Sequence, residues 1–338
     1  MKANETRVLP RSGLSLTALG LGCAQLGGLY RPISSTDAAT LVEAAWSAGI
    51  RYFDTAPFYG YTLSERRVGK ILRERDRCSF ALSTKVGRLM RPDARVKPGD
   101  DGWAAPLPFR PEFDYSYDGI MRSYEDSLQR LGMYRIDILY VHDIGSQTHV
   151  GQHRHFWAQL TRGGGFRALE QLRTTGFIGG FGLGVNEWEV AADVLSETEL
   201  DAVLLAGRYT LLEQEALAPL LDVCARTQTR VVIGGVFNSG VLAGNGKFNY
   251  SDAPAEVVAK VKALAEVCQR FDVSLPAAAL QFVFAHPSVV SCVVGVRSVQ
   301  QLAQNIAWLE TTIPVHFWSV LHAEGLVSPD APVPKEAQ

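Results

Sequence analysis

A single (β/α)8 barrel is the fold class this sequence predicts, and three observations predict it. Eight short runs rich in β-branched and aromatic residues alternate with helical patterns over roughly three hundred residues. No Ser/Gly linker, low-complexity tract or break in composition divides the 338 residues, so residues 1–338 read as one domain. Three of the runs end in Asp54, Lys85 and His142, and α/β proteins place their chemistry at that end of their strands. A doubly wound open sheet is the alternative. It is weakened because no strand is followed by Gly-x-Gly-x-x-Gly: Gly20-Leu21-Gly22-Cys23-Ala24-Gln25 lacks the third glycine and opens no helix.

The elements follow in order. A hairpin within residues 1–16, turning near Ser12-Gly13, precedes a buried first strand at 17–22. Ser35-Thr36 caps a helix over 37–48. Gly49-Ile50-Arg51-Tyr52-Phe53-Asp54 is the second strand, broken by Thr-Ala-Pro, with Tyr59 in the loop and a helix over 64–75. The third strand, 79–84, runs into Lys85. A long Pro-, Gly- and aromatic-rich loop, 88–115, then reads as an ordered wall or lid over an active site. A helix at 117–131 leads to the fourth strand, 136–141, and His142. A polar loop with His149, His153 and His155 follows, then a helix at 166–175. Strands at 177–185, 202–205, 230–233 and 289–294 complete the eight, with helices over 187–195, 212–226, 255–271, 276–285 and 299–308 between and after them.

Bulk properties narrow the class. A hydrophobic content of 47% with 20% charged residues is that of a globular protein, and 33 basic against 35 acidic residues, without long runs, point away from nucleic acid or an anionic membrane. A small molecule is the expected partner; oligomeric state is left open. The five cysteines are scattered and odd in number, as expected of reduced thiols in the cytoplasm, and no apolar run has transmembrane or signal-peptide character. His149, His153 and His155 have no carboxylate or cysteine nearby in sequence, so no metal site is expected.

Asp54, Tyr59, Lys85 and His142 on one rim form a candidate acid–base site. Hydride movement at a carbinol carbon must be matched by proton movement on its oxygen, and a phenol of pKa about 10 needs a neighbouring ammonium to serve near neutrality. Lys85 held by Asp54 would supply that field, and His142 would orient the substrate oxygen.

The motifs at 49–56 with Tyr59-Gly60 and Ser64-Glu65, Ser-Thr-Lys-Val-Gly at 83–87, Arg-Leu-Gly at 130–132 with Ile-Asp-Ile-Leu-Tyr-Val-His at 136–142, and Gly-Val-Arg-Ser at 295–298 with Gln301-Leu302 and Asn305 resemble the aldo-keto reductase superfamily over nearly the whole chain. The resemblance implies a TIM barrel that binds nicotinamide without a Rossmann motif, with Tyr59, Lys85, Asp54 and His142 as the catalytic set. It also implies cofactor contacts from Gly22, Cys23, Asn186, Gly235, Phe237, Ser239, Gly295, Arg297, Ser298, Gln301, Gln304 and Asn305. Departures are expected to matter: Val185-Asn186 replaces Ser-Asn, Ala206 replaces a Gln, and Gly234 replaces the aromatic that often stacks on nicotinamide, leaving Phe237 as a substitute. Few basic residues remain to hold a 2′-phosphate, so NAD is favoured over NADP. Gly-Gly-Val-Phe-Asn-Ser-Gly at 234–240 and Gly-Arg-Tyr-Thr-Leu-Leu-Glu-Gln at 207–214 resemble a subgroup of aldose 1-dehydrogenases acting on L-fucose or D-arabinose, and also pyridoxal 4-dehydrogenase. Trp103, Arg110, His142, Tyr209 and Asn238 are the candidate substrate contacts. An anomeric aldose dehydrogenase is the leading expectation, with pyridoxal oxidation, a general NADPH-dependent aldehyde reductase and, last, a channel-associated subunit as alternatives.

Overall fold

A computed structural model describes residues 1–249 and 251–335; the last three residues of the single-domain reading therefore lie outside the described residues. Eight parallel strands close on themselves: β1 Leu19–Gly22, β2 Tyr52–Asp54, β3 Ala81–Val86, β4 Ile136–His142, β5 Ile178–Val185, β6 Ala202–Ala206, β7 Arg230–Gly234 and β8 Val289–Val294. β8 returns to β1 through the pairs Cys292–Leu19, Val293–Gly20 and Val294–Leu21. The surrounding helices are α1 Ser35–Ser47, α2 Leu63–Leu72, α3 Tyr117–Leu131, α4 His153–Leu160, α5 Gly165–Thr174, α6 Trp188–Glu197, α7 Leu220–Arg226, α8 Ala255–Arg270, α9 Leu275–Phe282, α10 Val299–Glu310 and α11 Val315–Ala323. Caps fix several ends. The Ser34 hydroxyl accepts from the Asp37 N–H at 3.0 Å to start α1, and α3 begins at Ser116 and stops at Gly132 in the left-handed region. Among the described residues no helix is long and apolar enough to cross a membrane.

Period-two alternation divides the strand residues between two layers. Phe53, Leu82, Leu139 and Val141 face the helices and join the large outer core. Tyr52, Ala81, Ile138, Tyr140, Ala202, Leu204, Val232, Val290 and Val293 form a separate inner cluster with Leu9 and Leu16 of the N-terminal hairpin. That hairpin pairs Thr6–Val8 with Ser15–Thr17, as expected, and Arg7 donates to the Val289 carbonyl at 2.8 Å. Leu9 and Leu16, fully buried, stop the N-terminal end of the barrel. The same alternation brings Asp54, Ser83, Lys85 and His142 to the inside at the opposite end. Space for the long Lys85 side chain comes from β5, where a Cβ on Gly184 would stand 3.3 Å from Lys85 Cε.

Four stretches differ from the sequence expectation. The 88–115 loop contains a two-stranded antiparallel ribbon, Arg88–Pro92 against Phe109–Phe113. The expected helix over 212–226 is interrupted: a short 3-10 turn at Glu215–Leu217 precedes α7, since Pro219 offers no N–H to continue a helical ladder. The histidine loop includes α4, and α11 follows the last expected helix.

Candidate active site

Register sets the site. β2 pairs with β3 so that Asp54 stands beside Ser83, and β3 pairs with β4 so that Lys85 stands beside Tyr140. Lys85 Nζ donates to both Asp54 oxygens, at 2.9 and 2.7 Å, and to the Thr55 carbonyl at 2.9 Å. Both side chains are almost wholly buried. Three acceptors satisfy the three ammonium hydrogens, which is what makes a charged lysine tolerable inside a barrel.

Tyr59 sits in the turn after β2, its N–H bonded to the Ala56 carbonyl at 3.1 Å. Its ring centre lies 4.8 Å from Lys85 Nζ. Burial pushes the Tyr59 phenol above its ordinary pKa, the Lys85 charge pulls it back down, and Asp54 and Asp143 oppose that pull. Burial also disfavours the charge on Lys85, but Asp54 and then Tyr59 more than reverse this and hold the ammonium above its ordinary value. His142 ends β4, its ring 6.1 Å from that of Tyr59 and edge-on to it. Burial, reinforced by Arg88 and Lys85, keeps His142 well below the usual imidazole value, so it works as a neutral ring. Its Nε2 is 3.4 Å from Asp143, whereas Nδ1 is buried without a partner among the described residues. The four residues expected to act together are therefore brought together.

Two neighbours escaped the sequence reading. Arg88 donates to Asp143 at 2.5 Å and stacks on Phe58, its guanidinium carbon 4.3 Å from the ring centre. Asp143, directly after His142, has φ +45°, a strained value that turns its carboxylate back toward the imidazole. A second acid immediately after a strand-end histidine was the available signal. Tyr115 donates to the His142 carbonyl at 2.7 Å, so its one proton is spent there and His149 Nε2, 2.9 Å away, must be the donor to Tyr115. His153 bonds the Ile144 carbonyl and His155 the Gln159 amide; the three histidines thus have separate partners, and no cluster suited to a metal occurs among the described residues.

Of the expected substrate contacts, Trp103 lies beside Tyr59. Its ring is buried against Phe58 and Tyr59, with centroids 5.6 and 5.8 Å away, and its indole N–H has no partner among the described residues. Three other expected contacts are corrected. Tyr209 turns away from the mouth and is fully buried against Phe282 of α9 and His286, because the chain reverses at Gly207. Asn238 has spent its amide: it accepts from Thr210 at 2.6 Å and donates to Glu213 at 2.6 Å and to the Gly207 carbonyl at 3.2 Å, tying the β7 loop to the β6 loop. Arg110 pairs with Asp93 and Asp100 within the ribbon.

The expected cofactor residues other than Asn186, which follows β5, fall on adjacent rims, since β7, β8 and β1 are neighbours in the barrel. A Cβ on Gly22 would meet the Val294 and Gly295 backbone at 3.4–3.5 Å, and one on Gly295 would reach Gln25 at 3.5 Å, so the β1 and β8 loops approach closely at this point. Cys23 is buried below it, its thiol directed to the Leu21 carbonyl. Ser298 caps α10 by accepting from the Gln301 N–H at 3.2 Å, and Asn305 is buried while Gln301 and Gln304 are exposed on the first turns. Gly235 and Ser239 both adopt positive φ in the β7 loop. Asn186 donates to Asp143 at 3.4 Å. Phe237 does not replace the missing stacking ring: it packs edge-on against Trp308 of α10, 5.8 Å away. Arg297 donates to the Leu29 and Arg31 carbonyls, bridging the β8 and β1 loops.

Comparison with known proteins fits this geometry. The family model described as aldo/keto reductase family matches residues 18–323. A pyridoxal 4-dehydrogenase of Microbacterium luteolum is 52% identical, over 97% of this chain and 99% of its own length. A D-threo-aldose 1-dehydrogenase of a Pseudomonas species is 39% identical, over 94% and 96%. Among solved structures, an aldo-keto reductase from Bacillus halodurans in its holo form superposes with a TM-score of 0.72 at 25% identity, over 98% of this chain and 99% of that one.

Proposed function

We propose that this chain, which belongs to the aldo/keto reductase family, oxidises a cyclic hemiacetal to a lactone with a nicotinamide dinucleotide, and that pyridoxal in its hemiacetal form is the first substrate to try. One observation carries the reading: the Tyr59 phenol, backed by the buried Lys85–Asp54 pair, opens beside two buried nitrogens without partners among the described residues, His142 Nδ1 and the Trp103 indole N–H. Such atoms cost about 1–3 kcal/mol each until a ligand satisfies them. The aromatic faces of Phe58 and Trp103 suit a flat pyridine ring, and the 52% identical relative supports that choice over the aldose expected first. The 39% identical relative keeps an aldose as the second reading.

The rims of β1, β7 and β8, where Gly22, Gly235 and Gly295 carry no side chain, would receive a dinucleotide. Gly22, Cys23, Asn186, Gly235, Phe237, Ser239, Gly295, Arg297, Ser298, Gln301, Gln304 and Asn305 are the residues that would hold it, Phe237 through its backbone only. When bound, the nicotinamide supplies the hydride acceptor. Tyr59 takes the proton of the hemiacetal hydroxyl as hydride departs from the same carbon, so the carbinol becomes the lactone carbonyl. Lys85 stabilises the phenolate that performs this step, Asp54 keeps Lys85 charged and oriented, and neutral His142 holds the oxygen in line. The preference for NAD rests on Arg297, whose guanidinium is already committed to the carbonyls of Leu29 and Arg31.

The test is the appearance of reduced nicotinamide when the purified protein receives NAD or NADP with pyridoxal, L-fucose or D-arabinose. Lactone formation from pyridoxal with NAD is the expected result. Turnover of sugars alone would move the assignment to an aldose dehydrogenase, and activity confined to NADPH and simple aldehydes would replace oxidation by a general reductase.

A further inference from the structure

Below the catalytic pair, a line of hydroxyl groups runs down the inside of the barrel. The Ser83 hydroxyl bonds Asp54 Oδ1 at 2.7 Å, the Tyr52 hydroxyl lies 3.0 Å from that of Ser83, and the Tyr140 hydroxyl lies 3.2 Å from that of Tyr52. All four residues are buried. The direction of the line follows from counting protons. A carboxylate only accepts, so Ser83 spends its single hydrogen on Asp54 and must accept from Tyr52; Tyr52, having given its own, must accept from Tyr140. Every O–H dipole therefore points its positive end toward Asp54.

The lower end leads nowhere. Tyr140 and Tyr52 pack among Ile138, Leu204, Val232 and the hairpin leucines Leu9 and Leu16, which close that end of the barrel. A line with a sealed apolar terminus cannot exchange protons with solvent. It can only act through its dipoles, each bond polarising the next.

We propose that Tyr140, Tyr52 and Ser83 are positioning residues, a one-way hydroxyl relay of dipoles that offsets part of the Asp54 charge and thereby makes the Tyr59 phenolate easier to form. The sign follows from the groups around Tyr59. Lys85 on β3 favours its phenolate; Asp54 on β2 and Asp143 after β4 oppose it; Arg88 from the ribbon is paired with Asp143, and His142 is neutral. The Cys23 thiol, facing Asp54 from the β1 loop, is held protonated by burial and adds no charge. Positive dipole ends aimed at Asp54 weaken one of the two opposing charges. Removing them restores its full field.

The inference rests on Tyr59 being the base of the oxidation proposed above, and the experiment separates the two. Oxidation rate is measured against pH for the wild type, Ser83→Ala, Tyr52→Phe and Tyr140→Phe, alongside tyrosinate absorbance of the same proteins with and without Tyr59→Phe, which needs no substrate. The limb that reports Tyr59 ionisation should move to higher pH by about half a unit or more in Ser83→Ala, less in Tyr52→Phe and least in Tyr140→Phe, because influence fades along the line. The tyrosinate titration should shift in the same order. A wild type without nicotinamide-dependent turnover would remove the parent reading while leaving the titration to decide this one. Unshifted titrations, a reversed order, or losses of rate with no displacement in pH would overturn the relay and leave these groups with a packing role.

Discussion

The two ends of the barrel are built from the same eight strands and are opposites. At the N-terminal end Leu9, Leu16, Ile138, Leu204 and Val290 meet side chain to side chain around the rings of Tyr52 and Tyr140. At the C-terminal end, a few residues further along the same strands, Asp54, Lys85 and His142 crowd together under Tyr59, and two ring nitrogens lack partners among the described residues. Packing dominates one end, and electrostatic strain held in place by that packing dominates the other. Stability and activity should therefore be separable by where a substitution falls.

Tyr59→Phe should break the comparison most sharply: steady-state rates should fall about 10²–10⁴-fold while fluorescence titration still reports cofactor binding. Near-normal turnover would take the acid–base role from Tyr59. Lys85→Met should reduce turnover comparably and also lower unfolding free energy by about 3–5 kcal/mol, since it strands a buried carboxylate. The converse belongs to the closed end. Leu16→Ala should cost about 2–5 kcal/mol in denaturant melts with kcat nearly unchanged at temperatures where the fold persists. An equal loss of kcat would show that the stopper end reaches the chemistry.

Trp103→Phe should sharpen the comparison more gently. It keeps an aromatic wall and removes the indole N–H, so KM should rise about 5–30-fold with a smaller change in kcat. The smallest effect concerns acid stability. Burial holds His149 down to about 4, below its ordinary value near 6.5, so the unfolded chain binds a proton there that the folded one refuses. Stability from this residue is complete above about pH 6.5 and is lost as pH falls toward 4, by about 1–3 kcal/mol. His149→Phe should flatten that part of the stability curve; an unchanged slope would locate the acid sensitivity elsewhere.

Much of this arrangement was legible in the sequence because it depends on alternation along single strands. Asp54, Lys85 and His142 each close a β-rich run, and a period of two sends all three inward. What was not legible depends on where loops turn. Tyr209 and Asn238 follow strands in sequence as plausibly as Trp103 does, yet positive φ at Gly207, Asn238 and Ser239 redirects that region into a network of its own. Phe237 goes to Trp308 for the same reason. Arg88 and Asp143 stayed hidden because they are far apart in the chain, and only closure of the ribbon over β4 pairs them.

The N-terminal hairpin has a kinetic consequence. Its leucines and Arg7 rest on residues of β8, so a segment made before the whole barrel finds its seat only after the eighth strand has been made. Closing contacts of such long sequence separation are slow to form. Until they do, the inner tyrosines Tyr52 and Tyr140 stand open from below, and a nascent or truncated chain at that stage offers an apolar hollow to chaperones and to other copies of itself.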